Sequence, residues 1–300
     1  MSVVFRSATP SELLRLLPYL DQQFVYDKHR SLSLAVRFPS TFCIANSKNI
    51  FICVEDGAIV SALAIKFFEW QQDGRVWNGA MLGAVYTNPA HRRQGRASQL
   101  LNWVAETLEK NKVDFAVLWT TQPEFYARLG WISSDIGVLG EIAGRTTSSK
   151  SGEYGDIKEI GDIDPHKIEE TRRRQLSARI IRQAQDYLQI PTPAKTIEVA
   201  WSEGEHQTLA YALLGVVDDT GIVYEMVGDE QCMNALFSQV YVRFTRILFN
   251  DCKGSESHDW LTQHTEIIWQ DKPLAMWLIL SDELNMKHIK PWYIPYFDRI

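Results

Sequence analysis

Hydrophobic and polar positions in the first half of the sequence switch repeatedly between the strand period and the helix period. Two β-prone runs, Asn49–Val54 and Ala58–Phe68, flank Glu55-Asp56-Gly57, a sequence typical of a hairpin turn. Apolar residues then recur at helical spacing over Arg96–Lys110, and the short apolar run Asp114–Thr120 is typical of a central strand. This alternation predicts an α/β fold of the mixed-sheet (α+β) type, with helices packed on the sheet.

Further elements follow from the same pattern and from capping residues. Thr9-Pro10-Ser11-Glu12 has the residues of a helix start, and that helix is predicted to run to about Lys28 with a break at Pro18. The remaining predicted elements of this half are strands at Val3–Ser7 and Val76–Thr87, a short helix at Pro123–Leu129, and a last strand from Trp131. The predicted order is β-α-β-β-β-α-β-α-β.

The composition changes between Ala143 and Asp156, where Gly, Thr, Ser and Lys replace the apolar periodicity. Such a stretch is typical of a linker. With 300 residues and 45% hydrophobic content, the chain is long enough for two domains, each with its own core. We therefore predict a first domain at residues 1–142, a linker at 143–156 and a second domain at 157–300. The aromatic end of the second domain, Lys290–Ile300, is expected to be docked.

The second half weakly repeats the first. Glu198–Leu214 is similar to Cys53–Ile65. Ile222–Met226, followed by a predicted helix over about Glu230–Phe249, is similar to the strand and helix that surround Gly95. The similarity indicates a duplication, and chance likeness between two α/β halves is the alternative.

Charge and cysteine content narrow the class of protein. The net charge of −6 argues against a general nucleic-acid-binding protein, which would be basic, and is mildly compatible with a cationic substrate. The four cysteines show no CxxC or Cys/His spacing, so they predict buried thiols in a reducing compartment and no metal site. No signal peptide is evident, and the longest apolar run near the end, Leu274–Leu280, is too short to span a membrane. We therefore expect a cytoplasmic protein with neither nucleic-acid nor membrane partners, and the sequence is compatible with a homo-oligomer.

The stretch Val85–Ser98 carries the clearest chemical signal. A β-prone run ends at Asn88-Pro89, two arginines and Gly95 follow, and a helix begins at Arg96. The first amides of a helix lack partners within the helix, its dipole favours negative charge, and glycine lets an anion approach the backbone. The stretch therefore predicts an anion site. In the second half, the acidic sequence Val227-Gly228-Asp229-Glu230 stands in its place and would repel phosphate, so only one half is expected to bind an anion.

Two motifs in the first half resemble the GNAT superfamily of acyl-CoA-dependent N-acyltransferases. The first signature of that family, (Q/R)-x-x-G-x-(G/A) between a strand and a helix, is present as Arg92-Arg93-Gln94-Gly95-Arg96-Ala97. The second, a tyrosine four residues before a glycine and an aromatic residue, is present as Phe125-Tyr126-Ala127-Arg128-Leu129-Gly130-Trp131. The resemblance covers residues 3–140 closely. The weaker second half resembles tandem-domain members with one degenerate copy, including the Eis-like group.

The resemblance implies a GNAT fold in the first domain, a degenerate GNAT-like second domain, and acetyl-CoA as cosubstrate. In the family, the pyrophosphate lies on the turn before the helix, and the pantetheine arm pairs with the preceding strand. Carried over to this sequence, the cofactor-binding set is Val85, Thr87, Arg92, Arg93, Gln94, Gly95, Arg96, Ala97 and Ser98. One departure is Trp119–Pro123, which lacks the asparagine with which many members contact the cofactor. That contact is absent or is made by Thr120 or Gln122.

Candidate catalytic residues follow from the same resemblance. Tyr126 matches the family's general acid by position. A phenol with a pKa of about 10 is also suited to protonate a leaving thiolate. A core tyrosine with a hydrogen-bonded hydroxyl is the alternative. Glu69, at the end of a predicted strand, is the candidate general base, against the alternative of a solvated glutamate. In the Eis-like group the terminal carboxylate acts at the active site, which suggests Asp298 or the Ile300 carboxylate here; packing of the aromatic end is the alternative explanation.

Together these residues predict an acyl-CoA-dependent N-acetyltransferase. It would move an acetyl group from acetyl-CoA to a primary amine by direct attack in a ternary complex, since no cysteine lies in the motifs. A small-molecule amine is favoured over an aminoglycoside or a peptide, because the sequence has no evident extended peptide-binding region. Two alternatives remain open. One is a non-catalytic acyl-CoA-binding regulatory module, and the other is a protein or peptide N-acetyltransferase that uses its second domain for partner binding.

Overall fold

The computed structural model describes residues 2–143, 157–159, 164–188, 197–203, 209–289 and 292–300, which form two β-sheets with helices packed against them. The strands are β1 (Val3–Ser7), β2 (Ile50–Glu55), β3 (Ala58–Gln72), β4 (Arg75–Thr87), β5 (Phe115–Trp119), β6 (Ile132–Ser133), β7 (Gly137–Ala143), β8 (Ile157–Glu159), β9 (Ala178–Ile181), β10 (Ile197–Glu203), β11 (Leu209–Val217), β12 (Thr220–Val227), β13 (Arg246–Cys252), β14 (Ile268–Asp271) and β15 (Ala275–Ile279). The helices are α1 (Pro10–Phe24), α2 (Leu34–Arg37), α3 (Arg96–Lys110), α4 (Pro123–Ala127), α5 (Pro165–Gln175), α6 (Glu230–Arg243), α7 (Glu256–His264) and α8 (Met286–Ile289). Among these described residues, no helix has both the length and the apolar character needed to cross a membrane.

Each sheet combines antiparallel and parallel pairs. In the first sheet the strand order is β1-β2-β3-β4-β5-β15-β6, with β9 attached to β3. In the second it is β14-β7-β13-β12-β11-β10-β8. Both contain an antiparallel hairpin (β3–β4, β11–β12), then a helix (α3, α6), then a strand (β5, β13) parallel to the second strand of the hairpin. The predicted mixed α/β fold is confirmed, and the shared succession of elements agrees with the weak repeat in the sequence.

Two Asp-Gly turns form tight hairpins in the first sheet. Asp56 and Gly57 join β2 to β3 with φ of 47° and 83°, and Asp73 and Gly74 join β3 to β4 with φ of 50° and 75°. Two-residue turns with positive φ at both positions match the right-handed twist of the strands, and Asp-Gly adopts them readily. The local sequence therefore sets the register of β2, β3 and β4.

Helix α1 continues through Pro18, where the sequence predicted a break. Pro18 lies on the exposed face, so the carbonyl group left without its hydrogen bond is open to water. The opposite face buries Leu13, Leu16 and Leu20, and this packing holds the helix together across the proline. The helix ends at Phe24, earlier than predicted.

Helix α6 is also shorter than predicted. It ends at Arg243, and residues that the sequence assigned to its last turns form β13 instead. Ile247 and Phe249 of this strand are buried in the second core. Pairing of β13 with β12 and β7 therefore overrides the local helical spacing.

The two sheets exchange strands. β7, which ends the first half, lies in the second sheet between β14 and β13, and β15 lies in the first sheet between β5 and β6. Asp135 anchors β15, because its carboxylate accepts hydrogen bonds from the backbone of Leu274 (3.0 Å) and Ala275 (2.8 Å). The sequence predicted neither exchange. The division into domains at residues 142 and 157 stays a prediction, and residues 144–156 of the predicted linker lie outside the described residues.

A cluster of buried charges joins the two sheets. Arg182 follows β9 of the first sheet, and its guanidinium donates hydrogen bonds to both carboxylate oxygens of Asp298 (2.8 and 2.7 Å) and of Glu225 (2.8 and 2.6 Å). Glu225 lies on β12 of the second sheet and also accepts a hydrogen bond from Tyr211 (2.7 Å). Asp298 belongs to residues 292–300, the tail. Arg182 therefore ties the first sheet, the second sheet and the tail together in one buried ion cluster.

The charges of this cluster change the acidity of Glu225. Burial alone would raise its pKa, but the positive charges of Arg182 and Arg172, with hydrogen bonds from Arg182 and Tyr211, lower the pKa to about 2. Arg172 is buried too, approaches Glu225 at 3.4 Å and pairs with Glu169 at 2.6 Å. Protonation of Glu225 would leave two buried arginines short of one negative charge, which is costly.

We predict that the free energy of unfolding falls as the pH drops from about 4.5 towards 2. The pKa of Glu225 in the folded protein lies below its ordinary value of 4.5, so its carboxylate stabilises the folded state above pH 4.5. That contribution is lost as the pH falls through the folded pKa, and a shift of this size corresponds to about 3 kcal/mol. Urea denaturation at a series of pH values measures the loss.

The variant Glu225→Gln assigns this loss to one residue. It should lower the free energy of unfolding at neutral pH by about 3–5 kcal/mol and flatten the dependence between pH 4.5 and 2. The control Glu106→Gln changes an exposed residue of α3 and should behave like the wild type. A Glu225→Gln protein as stable as the wild type would contradict the stabilising role of the cluster.

Candidate functional site

Strands β4 and β5 separate in the middle of the first sheet. Their parallel pairing is confined to Gly79–Met81 and Phe115–Val117. Further along, β4 has a bulge at Ala84, whose φ is 49°, and its register with β3 shifts there. The space between Leu82–Thr87 and the carboxyl end of β5 is the β4–β5 gap. Ligands of sheets with parallel strands bind at such carboxyl ends.

The turn after β4 leads into a helix start without a capping side chain. Arg93 and Gly95 have left-handed φ of 64° and 76°, which turn the chain sharply into α3. Gly95 is the N-cap of α3, and the first turn of α3 contains no acidic residue. In α1 and α6, by contrast, the side chains of Thr9 and Asp229 cap the helix. A Cβ atom on Gly95 would meet no other atom within 4 Å, so the space at the turn is open. Uncapped amides, the helix dipole and open space together form an anion site.

The arginines of this turn differ in how they are held. Arg92 donates a hydrogen bond to the side chain of Gln23 (2.8 Å). Arg93 is exposed and makes no hydrogen bond or ion pair with any described residue. Arg96 pairs with both carboxylate oxygens of Glu55, and hydrogen bonds from Arg96 lower the pKa of Glu55. Arg92 and Arg93 therefore supply the net positive charge of the turn, because Glu55 balances Arg96.

Sequence reasoning missed Glu55. It ends β2 within a hairpin motif, and 41 positions separate it from Arg96, so no local pattern indicates the pair. The same carboxylate lies 3.6 Å from His91 Nδ1. Glu55 thus fixes the turn against the first hairpin of the sheet.

The other residues predicted to bind the cofactor lie in succession along β4, the turn after it and the start of α3. Val85 and Thr87 lie on β4 along the gap, Gln94 lies in the turn, and Ala97 and Ser98 lie in the first turn of α3. The structure brings these residues together with the arginines and Gly95. Their cofactor contacts stay a prediction.

Tyr126 lies beside the gap in the hydrophobic cluster under α3 and α4. Its ring packs against Phe125 (centroids 4.9 Å apart) and Trp131 (6.1 Å), and Leu82 of the gap belongs to the same cluster. Burial raises the pKa of Tyr126 to about 12. The ring is therefore a core residue, yet its hydroxyl makes no hydrogen bond to another described residue. A buried phenol in this state keeps its proton at neutral pH and is suited to donate it.

The segment between β5 and α4 sets the position of Tyr126. The hydroxyl of Thr120 accepts a hydrogen bond from the backbone of Gln122 (2.9 Å), and Pro123 occupies the first turn of α4. Gly130, with φ of 86°, follows the helix and turns the chain towards β6. Thr120 and Gln122 thus form the turn that precedes Tyr126, and their contact with a cofactor stays a prediction.

The tail forms a wall of the gap on the face opposite Tyr126. A Cβ atom on Gly83 would lie 3.1 Å from Ile300 Cγ1 and 3.4 Å from the main-chain carbonyl carbon of Ile300, so glycine lets the tail approach β4 closely. Arg299 lies over the ring of Trp119, at the end of β5, at 4.8 Å. Leu82 and Gly83 are successive residues of β4, so they face opposite sides of the sheet. Leu82 shares a hydrophobic cluster with Tyr126, whereas Ile300, which contacts Gly83, belongs to a different cluster.

Two sequence candidates for a base lie elsewhere. The carboxylate of Asp298 is buried and fully engaged by Arg182. Glu69 is exposed and pairs with Asn78 of β4. Four residues separate Asn78 from Leu82, which is about 13 Å along the strand. The structure therefore does not bring Glu69 to the start of the gap, and its role as general base stays a prediction.

The second sheet repeats the helix start without the anion site. The carboxylate of Asp229 accepts a hydrogen bond from the backbone amide of Cys232 (2.9 Å) at the start of α6. Gly228, just before it, packs tightly against Ala210. A fixed carboxylate at this position repels an anion, which supports the prediction that only the first half binds one.

A separate cavity of about 500 Å³ lies between α5 and β9. Glu169, Arg173, Arg179 and Gln183 are among its lining residues. None of the residues that line it belongs to the predicted cofactor or catalytic set, so this cavity has no part in the predicted chemistry.

Comparison with known proteins finds a family match for part of the chain. Residues 5–133 match the family model described as an acetyltransferase (GNAT) domain. A solved structure from Enterococcus faecalis V583, described as a conserved protein of unknown function and probable N-acyltransferase, has a TM-score of 0.70 at 15% identity. The match covers 93% of this chain and 73% of that one. No curated protein matches the sequence significantly.

Two further solved structures match nearly the whole chain. Eis1 from Mycobacterium abscessus has a TM-score of 0.60 at 12% identity, covering 93% of this chain and 74% of its own. A tandem GNAT protein from the clavulanic acid biosynthesis pathway has a TM-score of 0.58 at 11% identity, covering 93% of this chain and 99% of its own. At these identities the likeness shows the fold alone. It confirms the predicted resemblance to tandem GNAT proteins, including the Eis-like group. Residues 5–133, which contain the β4–β5 gap, the turn after β4 and Tyr126, therefore match a GNAT acetyltransferase domain, in a chain with the fold of tandem GNAT proteins.

Proposed function

We propose that this protein transfers an acetyl group from acetyl-CoA to a primary amine by direct attack within a ternary complex. The observation that supports this most is the placement of an uncapped helix start and a buried, unbonded tyrosine on the same gap between two parallel strands. The match to the GNAT acetyltransferase domain supports acyl-CoA as the donor.

The residues of the turn fit a pyrophosphate group. The amides at the start of α3 have no capping side chain, Gly95 leaves open space at the turn, and Arg92 and Arg93 add positive charge. Beyond Met81, β4 has no paired strand on its β5 side in the described part of the chain, so its backbone there is suited to an extended pantetheine arm. Acetyl-CoA supplies the acetyl group as a reactive thioester.

Tyr126 holds the proton that the leaving sulfur requires. Its pKa of about 12 keeps the hydroxyl protonated at neutral pH, and donation of that proton prevents return of the thiolate. A backbone amide of β4 in the gap is the donor to the carbonyl oxygen as negative charge develops on it. The chain thus provides an oxyanion donor from β4 and a proton donor from α4, the helix that follows β5.

The positions of the cysteines and the packing of the gap favour direct transfer. The free cysteines, Cys43, Cys53, Cys232 and Cys252, are not among the residues that form the gap. Because the cluster under α3 and α4 fills the face that holds Tyr126, we place the amine on the face covered by the tail. A small-molecule amine is the favoured acceptor, because the sequence has no evident extended peptide-binding region.

We predict that Gly95→Glu abolishes acetyl-CoA binding in isothermal titration calorimetry. The new carboxylate would stand at the helix start and repel the pyrophosphate. A left-handed backbone also disfavours a side chain there, by about 1–2 kcal/mol of stability.

Gly254→Glu is the matched control. Gly254 has the same φ of 76° and the same absence of atoms within 4 Å of a Cβ, but it lies after β13 in the second sheet. The control should lose similar stability and bind acetyl-CoA like the wild type. Equal binding by Gly95→Glu, or no binding by the folded wild type, would overturn the proposed donor site.

We predict that Tyr126→Phe leaves acetyl-CoA binding unchanged and lowers kcat by about 100-fold or more, the usual contribution of general acid catalysis. Release of coenzyme A thiol across a panel of amines measures turnover. Tyr241→Phe, on α6 of the second domain, controls for loss of a phenol elsewhere and should keep the wild-type rate. An unchanged kcat in Tyr126→Phe would assign the tyrosine to packing alone.

A further inference from the structure

Arg37 is a buried cation without an anionic partner among the described residues. It lies on the inward face of α2 with Leu34 and Phe38, which are three and one positions away and pack into the first core. The residue is only 8% exposed. Its guanidinium lies 5.2 Å from the ring of Phe38, and it makes no hydrogen bond or ion pair with another described residue.

The charged and titratable groups around Arg37 do not neutralise its positive charge. Burial and then the charge of Arg30 lower the pKa of Arg37, and the groups that oppose this change are the phenols of Tyr296 and Tyr224. No carboxylate of the described chain acts on it appreciably. Arginine remains charged at neutral pH even so, because its ordinary pKa is above 12.

Other buried arginines of this protein are paired. Arg182 binds two carboxylates, and Arg172 binds Glu169 and approaches Glu225. Burying a charge without a counter-charge is strongly unfavourable. The contrast shows that no described residue neutralises Arg37, which leaves its guanidinium available to an anion from outside.

Arg37 lies on the acceptor side of the β4–β5 gap. Leu34 and Phe38 of its helix share a hydrophobic cluster with Ala84, the bulge residue of β4. Tyr296, one of the phenols near Arg37, lies in the tail 5.7 Å from Arg299, next to the residue that covers Gly83. Helix α2 and the tail therefore flank the same stretch of β4, on the face opposite Tyr126.

We propose that Arg37 binds a carboxylate group of the acceptor, so that the substrate is an amino acid or a related amine that also carries a carboxylate. A planar guanidinium pairs with a carboxylate through two parallel hydrogen bonds, which would both neutralise Arg37 and orient the amine. This inference rests on the proposed acetyl transfer to an amine. It also assigns a local positive charge to the acceptor side of a chain whose net charge is −6.

Matched acceptors test the proposal. Turnover is measured with phenylalanine and phenylalaninamide and with leucine and leucinamide, at saturating acetyl-CoA. The wild type should favour the acids by about tenfold or more in kcat/KM. Arg37→Gln should remove that preference by raising KM for the acids, with little effect on the amides, and Arg37→Lys should restore part of it. Equal use of acids and amides by the wild type, or equal losses for both in Arg37→Gln, would overturn the proposal.

Stability separates a ligand-binding arginine from a structural one. If Arg37 is unpaired until an external anion binds, Arg37→Gln should keep or raise the Tm of the unliganded protein, because a buried unpaired charge is removed. A marked drop in Tm would show that Arg37 holds the fold, and the proposal would fail. Arg30→Gln, which removes the exposed neighbouring charge, is the control and should keep the preference for acids.

Ligand binding without turnover keeps this test distinct from that of the proposed function. N-acetylphenylalanine, a product of the proposed reaction, should raise Tm of the wild type and leave Arg37→Gln unchanged, and N-acetylphenylalaninamide should affect neither. If no amine is acetylated but this selectivity is observed, the carboxylate site stands and the acetyl transfer fails. If amines are acetylated but N-acetylphenylalanine has the same effect on both proteins, the carboxylate site fails.

Discussion

The ion cluster around Arg182 is the constraint on which the geometry of the gap depends. Asp298 fixes the tail two residues before Ile300, and Ile300 covers Gly83. Buried ion pairs often add little stability compared with apolar packing, but loss of one partner leaves an uncompensated charge. The cluster therefore acts mainly on position: Arg182, which follows β9 of the first sheet, holds Asp298 of the tail and Glu225 of the second sheet together.

The strand exchange brings the tail to that place. β15 runs antiparallel to β5 and ends at Ile279, opposite Phe115, so the chain that continues from it starts beside the amino end of β5. It returns as the tail, where Arg299 meets Trp119 at the end of β5. The second half of the chain, where Asp229 closes the start of α6, thereby contributes to the gap through its last segment rather than through a second anion site.

Sequence reasoning succeeded where structure depends on a residue and its close neighbours. The hairpin turn at Asp56-Gly57, the helix start at Arg96 and the short helix that carries Tyr126 all follow from local chemistry. It failed where distant segments meet. The predicted strand ended at Phe68, whereas β9 pairs with Glu69–Gln72 and extends β3, which carries Glu69 away from the gap. Neither the placement of β15 nor the pairing of Arg182 with Asp298, which are 116 positions apart, leaves a local signature in the sequence.

Arg37 and the start of α3 both lack a stabilising group that equivalent positions of this protein have. A capping side chain typically stabilises a helix by about 1 kcal/mol, and α6 has one in Asp229, while α3 has Gly95 and open space. Buried arginines elsewhere have carboxylates, while the described groups that act on Arg37 are two phenols and a second cation. In both places the folded chain leaves a favourable interaction with negative charge unmade. Proteins depart from local rules of stability mainly at functional sites. The two departures lie on either side of the same strand, β4, so one anion bound at each would hold donor and acceptor across the gap.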